Sequence, residues 1–135
     1  MFERKKSRPQ QKRIDCLIGA GTTVRGDIAF SGGLRIDGKV AGRVVGAENE
    51  AATLVISEQA CVDGSVEVSH VVVNGTVNGP VIAKDYVELQ AKARVVGDVL
   101  YGSLEMHVGA VVDGKLAPIG AEMAPVLELK RAGTR

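Results

Sequence analysis

Between residues 14 and 117 the chain alternates apolar and polar positions with little interruption. Leu34, Ile36, Gly38, Val40, Gly42 and Val44 take every second place. The run returns, offset by 37, as Val71, Val73, Gly75, Val77, Gly79 and Val81. Alternation of period two puts every second side chain on one face of a strand. Glycine recurs inside the pattern in units of the form apolar-x-Gly-x-apolar. These units centre on Gly26, Gly38, Gly42, Gly64, Gly75, Gly79, Gly97 and Gly114, and their fourteen flanking positions are all Val, Ile or Leu. With Gly26, Gly42, Gly64, Gly79, Gly97 and Gly114 as markers, the steps are 16, 22, 15, 18 and 17 residues. The long step contains residues 47–52, a predicted surface insertion.

A near-constant period with alternation inside each unit predicts an all-β solenoid of about six coils. Inward side chains of one coil stack on their equivalents in the next. Val and Ile fill such a narrow interior, and Gly relieves crowding or permits a corner. Coils stacked at ~4.8 Å give a rod core on the order of 25–30 Å long. A meander of hairpins competes, because Asp37-Gly38 and Asn74-Gly75 are hairpin-turn dipeptides. The alternation, however, runs straight through both. A left-handed hexapeptide helix wants an apolar residue every six positions. Val62, Val68, Asn74 and Val95, Tyr101, His107 break that rhythm, so a wider coil fits better.

Composition agrees. The 135 residues suffice for one domain, with 21 Val, 17 Gly, no Trp and four aromatics: Phe2, Phe30, Tyr86 and Tyr101. Stiff Val suits strands, and so many Gly weaken helix interiors, which argues against a helical bundle. The net charge of +1 is segregated: +5 over residues 1–13, −5 over 14–117 and +1 over 118–135. A basic arm on an acidic body directs the arm towards an anionic partner. The organisation is therefore a flexible basic arm (1–13), a β-helical core (14–117) and a flexible C-terminal tail (118–135). Cys16 and Cys61 are too few to staple a fold, and reduced cytosolic thiols are expected. No stretch approaches the ~20 apolar residues of a spanning helix. Residues 7–13, which are polar or charged apart from Pro9, stand where a signal peptide needs an apolar run.

Short motifs reduce to repeat geometry. Gly33–Lys39 and Gly109–Lys115 spell near P-loops, but Val40 and Leu116 stand where Ser or Thr would hold Mg²⁺. Alternating residues follow instead of a helix, and the pattern is expected at one repeat phase. Arg25-Gly26-Asp27 and Asn74-Gly75-Thr76 each contain a repeat glycine. His70 and His107 are expected on the outer surface or at corners. Cys16, Cys61, His70 and His107 are too scattered for a metal site, so no metal and no cofactor is expected. Carbonic anhydrases and acyltransferases on left-handed β-helices do use His. A β-helical enzyme or ligand-binding trimer of that type is thus the alternative, although no catalytic set is visible.

The Val-x-Gly-x-Val units, the near-18 step and the short Pro-containing tails resemble the bactofilins, a bacterial cytoskeletal family. The resemblance covers 14–117 as the core and both tails as flanking arms. Met1-Phe2-Glu3-Arg4-Lys5-Lys6 is similar to the membrane-targeting sequence of many members, which makes Met1, Phe2, Arg4, Lys5 and Lys6 the expected membrane contacts. The resemblance implies a single right-handed parallel β-helix that polymerises end to end without nucleotide. Its filaments would lie on the inner face of the cytoplasmic membrane and position cell-wall or morphogenesis proteins. Nucleic acid is not an expected partner, because the body is acidic and the arm lacks interleaved aromatics.

Physical reasoning points to self-assembly as well. Solenoid ends expose strand edges and half a core, and soluble solenoids need polar caps. No amphipathic capping helix is apparent. In family members an apolar residue of the last coil, often aromatic, is required for polymerisation. No aromatic follows Tyr101 in this core, which leaves Leu104, Met106 and Val108 as candidates. With Val111, and with Ile18, Val24 and Ile28 of the first coil, they form the expected polymerisation interface.

Overall fold

The computed structural model describes residues 14–48 and 50–119. All regular structure in them is β. The expectations for residues 1–13 and for the tail beyond Ile119 lie outside the described residues.

The chain winds through coils of three short strands and three corners. The first coil holds β1 (Cys16–Ile18), β2 (Thr23–Arg25) and β3 (Ile28–Phe30). The second holds β4 (Gly32–Ile36), β5 (Lys39–Ala41) and β6 (Val44–Gly46). The third holds β7 (Ala52–Ile56), β8 (Cys61–Asp63) and the start of β9 (Val66–Val73). β9 runs across the corner into the fourth coil, which continues with β10 (Thr76–Asn78) and the start of β11 (Val81–Leu89). β11 opens the fifth coil in the same way, followed by β12 (Arg94–Val96) and β13 (Val99–Tyr101). The last coil holds β14 (Leu104–Met106), β15 (Val111–Asp113) and β16 (Leu116–Pro118).

Strands pair with their equivalents one coil on, and the ladders are parallel. A hairpin meander would pair antiparallel, so it is excluded. One face is a 6-stranded sheet; β9 and β11 join the other two faces into a 10-stranded one. Val24, Val40, Val62, Val77, Val95 and Val112 share one column, which reproduces the marker steps. Ile18, Ile36, Ile56, Val73, Leu89 and Met106 form a second. Ile28, Val44, Val66, Val81, Val99 and Leu116 form a third. Interior members such as Ile36, Ile56, Val62 and Val99 are fully buried. Each such side chain contributes roughly 1.5–3 kcal/mol, so the core is thin but every coil adds to it.

The corners explain the two repeat lengths. Four coils turn the first corner through a four-residue turn. Its closing backbone bonds run from Thr22 to Gly19, Ala60 to Ser57, Ala93 to Gln90 and Ala110 to His107. The second and fourth coils use two residues instead, Asp37-Gly38 and Asn74-Gly75. The offset of 37 is therefore a two-coil repeat. Gly75 nests in the turn before it: a Cβ there would meet the Ala60 carbonyl oxygen at 2.8 Å.

At the second corner the six marker glycines stack one on another. A Cβ on Gly97 would lie 2.7 Å from both carbonyl atoms of Gly79. Gly38 and Gly114 consequently occupy different corners, which corrects the expectation that the two near P-loops share one repeat phase. Each is a strand–corner–strand segment, Gly38 between β4 and β5 and Gly114 between β15 and β16. Near the third corner, interior aromatics face small residues: Phe30 pairs with Gly46, and Tyr101 with Ala83.

The predicted insertion joins β6 to β7. Its end is pinned by Ser69, whose hydroxyl accepts from the Ala52 amide at 2.7 Å and donates to the Ala52 carbonyl at 2.8 Å. Regular pairing continues past residue 117, because the Ile119 amide donates to the Tyr101 carbonyl at 2.7 Å.

Candidate assembly surfaces

The two ends of the rod are built alike. Among the described residues, β1, β2 and β3 have partners on one side only, as do β14, β15 and β16. Each end therefore presents three strand edges with unpaired backbone groups. The core columns stop there too. In the first coil Ile18 retains 9% exposure, and Val24, Ile28 and Phe30 are half-buried. In the last coil Leu104 and Val112 are half-buried, whereas Met106 and Leu116 are 43% and 40% exposed. Their column equivalents Leu89 and Val99 are fully buried. The difference is one missing coil.

Most of the expected interface residues thus fall on an open end: Ile18, Val24 and Ile28 on the first, Leu104 and Met106 on the last. Val108 sits in the corner turn between β14 and β15 and is 97% exposed. Val111 stands on the side of the rod instead. Its column runs through Arg94, Thr76, Cys61, Lys39 and Thr23, none of them buried. Val112, Leu116, Cys16 and Phe30 belong to the core columns of the end coils, although they are not among the expected interface residues. Carrying the strand register into the terminal coils would have found them.

A polar cluster lies beside the last end. Glu88 and Glu105 are in register on β11 and β14. His107 Nε2 is 3.1 Å from one Glu88 oxygen and 3.4 Å from one Glu105 oxygen. The Tyr86 hydroxyl donates to Glu105 at 2.7 Å, and Gln90 donates to Glu88 at 3.1 Å. Burial raises the Tyr86 pKa far above its ordinary value, assisted by the Glu105 hydrogen bond and the two carboxylate charges. Glu88, Glu105 and His107 have ligand atoms close enough to hold a cation. Their contacts are also those of a hydrogen-bonded ladder, which offsets the repulsion of two carboxylates in register. On the side of the rod, burial and Asp63 raise the Cys61 pKa and disfavour its reactive thiolate.

The family described as Bactofilin, polymer-forming cytoskeletal, matches residues 16–117. The chain belongs to the bactofilin family. The matched span opens with β1 and closes inside β16, so it takes in all six coils. Bactofilin BacO of Myxococcus xanthus (strain DK1622) is 30% identical over 100 residues, which cover 74% of this chain and 76% of that protein. No solved structure matches significantly. As a bactofilin the chain is a polymer-forming cytoskeletal protein, and the family is structural rather than enzymatic.

Proposed function

We infer that this bactofilin polymerises through its two open ends, without nucleotide, into a filament held on the inner face of the cytoplasmic membrane. Residues 1–13 supply the attachment, with Met1 and Phe2 entering the interface and Arg4, Lys5 and Lys6 meeting anionic headgroups. The filament then scaffolds cell-wall or cell-shape proteins. The observation that carries this reading is the truncation of the core at both ends. Met106 and Leu116 continue columns that are sealed one coil earlier. Pairing the ends with further copies buries these side chains and satisfies the strand edges together.

Negative-stain microscopy of the purified protein in nucleotide-free buffer tests it. Filaments are expected, unchanged by added ATP or GTP. A stable monomer across salt and concentration overturns the reading, as does a discrete trimer carrying zinc.

A further inference from the structure

The insertion does more than lengthen one coil. With the face formed by β6, β9 and β11, its residues Ala47, Glu48, Glu50 and Ala51 line an open groove of about 410 Å³. Val45 and Ile82 contribute apolar surface, and Glu48, Glu50, Glu67 and Asp85 bring carboxylates to it. Among the described residues Lys84 is the one cation lining it. Among the described residues Glu48, Glu50 and Glu67 have no hydrogen-bond or ion-pair partner, whereas Glu88 and Glu105 are engaged by His107. Asp85 only approaches His70, at 4.0 Å. A concentration of unneutralised carboxylates over an apolar floor suits a basic segment with apolar residues.

Such a segment enters the fold close by. The Asp15 amide donates to the Gly33 carbonyl at 2.8 Å, and Gly33 pairs with Thr53, just after the insertion returns to the stack. The chain before Ile14 therefore departs two strands, or about 10 Å, from the insertion. A second depression leads the same way: it is lined by Ala29, Phe30 and Ser31, and shares Val45 and Glu48 with the groove. The thirteen residues before Ile14 carry six basic groups against Glu3. Extended, they reach roughly 43 Å, several times the distance needed.

We propose that this groove is the docking site of the chain's own basic arm. Arg4, Lys5, Lys6, Arg8, Lys12 and Arg13 supply the charge that the four carboxylates lack. Phe2 or Met1 supplies an apolar group for the floor. Groove and membrane compete for these same residues, so an arm docked in the groove is one withdrawn from lipid.

Zero-length carbodiimide coupling of the full-length protein tests this, because it joins only lysines and carboxylates already in contact. Lys5, Lys6 and Lys12 should couple to Glu48, Glu50, Glu67 and Asp85 at least about threefold more often than to Glu58, Asp63 or Asp98, as the local charge complementarity requires. Raising salt from 0.1 to 1 M shortens the screening length from about 10 to 3 Å, and groove coupling should fall about fivefold. In a Glu48→Gln, Glu50→Gln variant, coupling at the untouched Glu67 and Asp85 should drop about threefold, since half the attracting charge is gone. Mixing ¹⁴N and ¹⁵N protein identifies the donor of each arm. Crosslinks within one isotope support docking on the same chain; mixed-isotope pairs mean that another copy's arm fills the groove and overturn it. Coupling spread evenly over the rod, or indifferent to salt, also overturns it.

Discussion

Gly64 turns the second corner of its coil directly over Gly42, so close that a Cβ on Gly64 would overlap the Gly42 carbonyl group. Gly64 also has a φ of +154°, within the range that L side chains avoid. Two causes thus select glycine at one position, and Gly26 separates them. It begins the same column with a φ of +128° but has nothing within 4 Å of its Cβ position. Gly26→Ala should cost about 1–2 kcal/mol, the dihedral strain alone. Gly64→Ala should cost about 3–5 kcal/mol, because contact adds to strain. Urea unfolding of both variants in an assembly-deficient background checks this without coupling to polymer formation. Equal midpoint shifts would show that the stacked carbonyl is not what selects glycine.

The Tyr86 hydroxyl predicts an alkaline loss of stability. Its folded pKa is raised, so above the ordinary value of about 10 the unfolded chain releases this proton while the fold retains it. Stability from this group is therefore fully present below pH 10 and declines as pH rises further. Tyr86→Phe should flatten that decline. Ultraviolet titration supplies a direct reading, since Tyr86 should resist ionisation until the protein unfolds. A Tyr86 that ionises near pH 10 in the folded protein would sink the assignment.

The coil number and step lengths were legible because one physical constraint, the parallel stack, acts on every residue of a column. Val40 and Val62 are in register across the longest step, so even the insertion left the phase intact. Less legible was which corner a given glycine serves. Gly38 and Gly42 sit in the same apolar-x-Gly-x-apolar context, yet one nests in a backbone turn and the other stacks on a glycine. Val111 and Val112 show a similar limit. Both are apolar residues of the last coil, but the register sends the first outward and the second inward. The Glu88–His107 contact was not visible at all, because it joins residues one coil apart whose types are ordinary on a surface.

The open end of the last coil yields a third prediction. Met106 stands over Leu89 where a further coil would bury it. Met106→Arg should stop or sharply weaken filament growth, since a junction there would bury an unpaired charge. The coils below should remain folded, with unchanged far-ultraviolet dichroism, because the substituted side chain already meets solvent. Val108→Arg tests the corner beside the same end. Normal filaments from both variants would place the junction elsewhere.

Attachment to a membrane should separate from assembly. Residues 1–8 include Arg4, Lys5, Lys6 and Arg8, each contributing about 1 kcal/mol near an anionic surface. One arm of this kind binds weakly, whereas a filament presents many at once, and avidity makes attachment firm. Removing residues 1–8 should abolish co-sedimentation with anionic liposomes and leave filaments intact by microscopy. Met106→Arg should retain the arm yet sediment poorly, because its copies are no longer linked. Salt should weaken binding of the intact polymer as headgroup charge is screened. Unchanged sedimentation of the truncated protein would refute the anchor, and equal binding by Met106→Arg would show that linkage of the arms contributes nothing.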